Sequence, residues 1–107
     1  MLIVKGKNRK SVFVNTLMNK TNSICFEYYD KPVIFNSICV DNTKYSLMDF
    51  IECMAEEFKR VNADRRHYNF LIIYTNEKEE DLHELIDWLN NHRWRIWCDN
   101  ILVMCKE

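Results

Sequence analysis

The chain predicts a two-layer α+β sandwich, two helices packed on a mostly antiparallel, mixed sheet, in the order β-β-β-β-α-β-α-β-β. Three observations carry that reading. Two segments repeat their apolar residues at helical spacing, the remaining apolar residues fall in short strand-like runs, and 107 residues is the length of one domain. Residues 1–107 therefore read as a single α+β domain.

The first four elements read as strands. Residues 2–5 and 11–14 flank Gly6-Lys7-Asn8, a turn-forming trio, and predict a hairpin. Residues 23–29 alternate, with Ile24, Phe26 and Tyr28 on one side and Ser23, Cys25 and Glu27 on the other. Asp30-Lys31-Pro32 breaks that strand, and residues 33–40 resume it.

Ser46 with Asp49 three residues on is a capping-box pattern and announces the first helix, over about 46–62. Leu47, Phe50, Ile51, Met54, Phe58 and Val61 make its apolar stripe, and Glu52, Glu56, Lys59 and Arg60 lie largely off it. Residues 68–74 are apolar on both alternations, which marks a central strand. A second helix, over about 77–91, starts after Asn76 with acids in its first turn and carries Leu82, Leu85, Ile86 and Leu89 as its stripe.

The C-terminal segments 94–98 and 101–105 flank Asp99-Asn100 and predict a two-residue hairpin. One face would carry Trp94, Ile96, Cys98, Ile101, Val103 and Cys105, the other Arg95, Trp97, Leu102 and Met104. The helices take one face. The other must be covered by chain, by a second copy through the hairpin, or by a partner. The strand at 68–74, the second helix and the strand at 94–98 also suit a right-handed crossover between parallel strands.

Composition narrows the function classes. The chain is 48% hydrophobic and 29% charged with a net charge of −1, which favours neither bulk nucleic-acid binding nor anionic membranes. Gly6 and Pro32 are the sole glycine and proline, which leaves no glycine-rich phosphate loop. No apolar run approaches the roughly 20 residues that span a bilayer, and the first residues read as a strand rather than a signal peptide. The odd set Cys25, Cys39, Cys53, Cys98 and Cys105 sits in apolar flanks, as reduced, mostly buried thiols of a cytoplasmic protein would.

Catalytic and metal chemistry find little support. Structural zinc needs paired ligands at short spacing, and no such pair is present, so neither a metal nor another cofactor is expected. His92 and Cys98 lack an orienting acid. The acids Glu77, Glu79, Glu80, Asp81, Glu84 and Asp87 suit a solvated helix face that complements the dipole, and that face can also dock a basic partner. Lys5, Lys7, Arg9, Lys10 and Lys20 occupy the first twenty residues with no acid among them. Arg65-Arg66-His67 makes a second basic spot, the alternative contact for a small ligand or RNA.

The sequence thus predicts a non-enzymatic protein-binding inhibitor, of the immunity or phage anti-defence kind. Its expected partner is another protein, such as a basic toxin or a nucleic-acid enzyme. The expected contact residues are Glu80, Glu84 and Asp87 on the acidic face and Arg95, Trp97, Leu102 and Met104 on the C-terminal hairpin, since Trp and Arg dominate interface hot spots.

Overall fold

The computed structural model describes residues 1–6, 10–92 and 96–107. Five strands form one sheet: β1 (Leu2–Lys5), β2 (Ile24–Tyr28), β3 (Ile38–Val40), β4 (Tyr68–Lys78) and β5 (Cys98–Lys106). Their spatial order is β1-β5-β4-β2-β3, and every neighbouring pair is parallel. Among the described residues three α-helices accompany them: α1 (Lys10–Lys20), α2 (Leu47–Ala63) and α3 (His83–Asn91), the last preceded by a 3-10 turn at Glu79–Leu82. The mostly antiparallel sheet with two helices predicted from the sequence is therefore wrong: the sheet is wholly parallel and a third helix is present.

Two misread segments account for the difference. Residues 11–14 are the start of α1 rather than a strand, and β1 pairs in parallel with β5 instead of closing an N-terminal hairpin. Asp99-Asn100 is not a turn but the beginning of β5, which runs unbroken to Lys106 beside β4, from Tyr68↔Cys98 to Tyr74↔Met104. Pairing with β1 starts only at Leu102, so the two polar residues sit where β5 has a neighbour on one side and remain exposed. Trp94 and Arg95 lie outside the described residues.

Parallel neighbours cannot be joined by tight turns, so each link crosses a face of the sheet. The links from β1 to β2 and from β2 to β3 pass on one face, through α1 and through a loop that buries Ile34. The links from β3 to β4 and from β4 to β5 return across the sheet on the other face, through α2 and α3. Reversing both direction and face gives all four links one hand, as the twist of parallel strands demands.

Both faces are consequently apolar. Toward α2 and α3, register aligns Phe26, Ile73, Val103 and Ile3 in one cross-strand row, and Phe50, Met54, Phe58, Leu85 and Leu89 pack against that face. Toward α1, the row is Cys25, Ile72 and Leu102, covered by Val14, Leu17 and Met18 at helical spacing, and it continues to Leu2, which is exposed on the edge strand. The second apolar face of the C-terminal segment is thus covered by the chain itself, and Leu102 and Met104 are buried.

The helix at 46–62 forms as its pattern predicts. Ser46 Oγ accepts the Asp49 N–H at 3.2 Å while the Asp49 carboxylate accepts the Ser46 N–H at 3.0 Å, closing the capping box. The second helix begins later than expected, because β4 continues to Lys78 and the acidic run Glu79-Glu80-Asp81 forms the 3-10 turn.

The link from β2 to β3 has no helix, and a buried carboxylate organises it. Glu27 is fully buried on the α1 face of β2. It accepts the N–H groups of Val33 at 3.1 Å and Ile34 at 2.8 Å and the Ser37 hydroxyl at 2.5 Å. The Ile34 donor is buried and those of Val33 and Ser37 are half-buried, so without Glu27 they would lose their partner where water reaches poorly. Glu27→Ala should destabilise the protein by about 3 kcal/mol or more, read from urea unfolding, because it strands those donors. A change under about 0.5 kcal/mol would show that the loop is held by packing alone.

Candidate functional site

The sequence-predicted contact residues do not converge. Glu80, on the 3-10 turn, and Glu84 and Asp87, on α3, form an exposed acidic ridge, with Lys78 Nζ 4.0 Å from Glu80. Trp97 is 43% exposed just before β5, whereas Leu102 and Met104 lie inside the sheet, and Arg95 is outside the described residues. An exposed apolar set of Trp97, Leu102 and Met104 therefore does not exist.

The basic spot is partly neutralised. Arg66 lies 3.6 Å from Asp64, and His67 Nε2 lies 3.1 Å from Asp99. Arg65 has a structural part: its N–H bonds to Asn62 O while Arg66 N–H bonds to Val61 O, the paired bonds of a Schellman ending to α2. Arg65 holds φ at 54°, a conformation that suits glycine. Arg65→Gly should raise stability by about 1 kcal/mol in urea unfolding. Unchanged or lowered stability would mean that Arg65 makes compensating contacts.

A cleft of about 610 Å³ opens where the free edge of β3 meets α2. Cys39, Val40 and Cys53 contribute its apolar lining. Among the described residues Asp41, Asp49, Glu52 and Glu56 line it with carboxylates and Lys44 with an ammonium; Asp49 also caps α2, and Glu56 lies 3.2 Å from Lys59. Asp49, Glu52 and Glu56 project from α2 at offsets of three and seven residues, off its buried stripe. Asp41 follows β3 and accepts the Thr43 hydroxyl and N–H at 2.6 and 2.9 Å, which hold its carboxyl below the usual range.

Tyr45 also lines this cleft and is 54% exposed, and Met48, in the first turn of α2, is 48% exposed. The Tyr45 carbonyl accepts the buried Tyr28 hydroxyl at 2.6 Å, which fixes the loop ahead of α2 to the sheet. The expectation built on Glu80, Glu84 and Asp87 passed over these residues, although Glu52 and Glu56 were visible off the helical stripe. Only the parallel sheet places Asp41 and Tyr45 beside them.

The two thiols in the cleft are not activated nucleophiles. Burial pushes the thiols of Cys39 and Cys53 up, with Glu27 and Asp41 adding to the first and Glu57 to the second, so both stay protonated at neutral pH. His92 stacks on Trp88 and donates from Nδ1 to the Trp88 carbonyl at 2.8 Å. Among the described residues no three His, Cys, Asp or Glu side chains converge to hold a metal ion, and no helix is long and apolar enough to cross a membrane. No family model matches the chain, and no curated protein or solved structure shows significant similarity to it.

Proposed function

We propose that this protein is a binding inhibitor without chemistry of its own, acting in the cytoplasm in an immunity or anti-defence role. In this reading it captures a basic segment of a target protein in the cleft between β3 and α2. The observation that carries it is the coincidence there of an apolar lining, four carboxylates and the exposed side chain of Tyr45, with Met48 exposed next to the lining residue Asp49 in the chain. Carboxylates around an apolar lining steer a basic partner and set its register, while desolvated apolar and aromatic anchors supply the affinity. A basic toxin or nucleic-acid enzyme is the class of target this arrangement suits.

The test has two halves, carried out on a protein that copurifies with the parent chain. Glu52→Lys with Glu56→Lys should slow association several-fold and flatten its salt dependence, because the field that steers encounter is reversed. Tyr45→Ala with Met48→Ala should mainly speed dissociation, by about tenfold or more. All four positions are exposed, so the variants should fold. Parent-like kinetics for both pairs would overturn the reading, and so would loss confined to Glu80→Lys with Glu84→Lys, which would move the contact to the α3 ridge.

A further inference from the structure

A second cleft, of about 290 Å³, lies at the carboxyl ends of the strands. Gly6 follows β1, Tyr29 follows β2, Tyr74 and Asn76 lie in the later part of β4 where it runs past the end of β2, Lys106 ends β5, and Lys10 opens α1. Among the described residues no carboxylate lines it. A β-carbon built at Gly6 would meet nothing within 4 Å among the described residues.

The topology makes this place distinctive. β2 and β4 are neighbours, yet the link leaving β2 runs on the α1 face and the link leaving β4 runs on the α3 face. Where adjacent parallel strands send their chains apart, a crevice opens beyond their carboxyl ends, and ligands of open parallel sheets bind in such crevices.

The side chains give the crevice a sign and a shape. Lys10 Nζ donates to the Cys105 carbonyl and lies 5.9 Å from the centre of the Tyr74 ring. Tyr74 is 6.1 Å from Tyr29, centroid to centroid. Burial lowers the Lys10 pKa, with Cys105 and Glu107 opposing, so the ammonium is short of solvent and would gain from an anion. Burial likewise raises Tyr74, keeping its hydroxyl a neutral group able to donate. The acid that acts on Lys10 is Glu107, whose side chain is exposed and lies outside the crevice lining, and Glu79 is engaged 2.8 Å from Lys5.

We infer that this crevice binds a small phosphate monoester carrying a planar ring, a mononucleotide in chemical class. Lys10 and Lys106 face its phosphate, the Asn76 amide and the tyrosine hydroxyls donate to its oxygens, and Tyr29, its ring inclined at 51° to that of Tyr74, offers an aromatic face for the planar ring. The size is at the small end of ligand clefts, which suits one nucleotide unit. This site is separate from the partner cleft, and neither reading needs the other.

The experiment is a two-dimensional amide NMR titration of the full chain with adenosine monophosphate, and in parallel with adenosine. Adenosine monophosphate should shift the amides of Lys10, Tyr29, Asn76 and Lys106 saturably below about 10 mM, and adenosine should not saturate in that range. Lys10→Met with Lys106→Met should weaken binding at least tenfold. Should that pair fail to fold, Lys106→Glu alone, at an exposed position, should give the same loss. The inference is overturned if adenosine monophosphate leaves the crevice unmoved, if adenosine binds equally well, if the shifts map to Arg65 and Arg66, or if the folded lysine variants bind like the parent.

Discussion

The constraint on which the rest of this structure depends is the two-sided burial of a wholly parallel sheet. Each parallel link needs a crossover, and each crossover covers a face with helix or loop. Here α1 and the loop ordered by Glu27 cover one face while α2 and α3 cover the other. Without α1, the row of Cys25, Ile72 and Leu102 would face water. Covering both faces is also what lets β4 and β5 be apolar on both alternations, as buried parallel strands are.

The same constraint places the functional surfaces. Helices and loops occupy the faces, so the strands reach solvent at the carboxyl ends and at the outer edges of β1 and β3. The carboxyl ends present lysines and tyrosines, and the β3 edge beside α2 presents carboxylates and exposed apolar side chains. α2 serves both the fold and the surface: Phe50, Met54 and Phe58 pack inward while Asp49, Glu52 and Glu56 turn toward the cleft. One amphipathic helix therefore fixes the core and sets the charge of the site.

Much of the local structure was legible in the residues. The capping box at Ser46 and Asp49, the stripe of α2 and the two-sided character of β4 all follow from side-chain chemistry within a few residues. What escaped was α1, and with it the direction of the strands other than β4 and its parallel successor, whose crossover through the second helix was foreseen. Its stripe, Val14, Leu17 and Met18, is short, and Val12 and Phe13 on the exposed side are strand-favouring residues. Thr16 and Thr21 satisfy their hydroxyls on carbonyls four residues back, a contact that spacing alone does not announce. Once residues 11–14 are read as a strand, β1 is given a hairpin partner, Asp99-Asn100 becomes a turn, and Leu102 and Met104 are left without cover. The cleft shared by Asp41, Tyr45 and α2 depends on that same strand order and could not be assembled from local pattern.

The most direct measurement compares Val12→Asp with Val14→Asp in equilibrium unfolding. In a strand the two positions share a face and should respond alike. In α1, Val12 is 63% exposed and Val14 is fully buried against the sheet. The parallel, two-sided architecture predicts that Val12→Asp shifts stability by less than about 0.5 kcal/mol while Val14→Asp abolishes the cooperative transition. Equal losses from the two substitutions would contradict it.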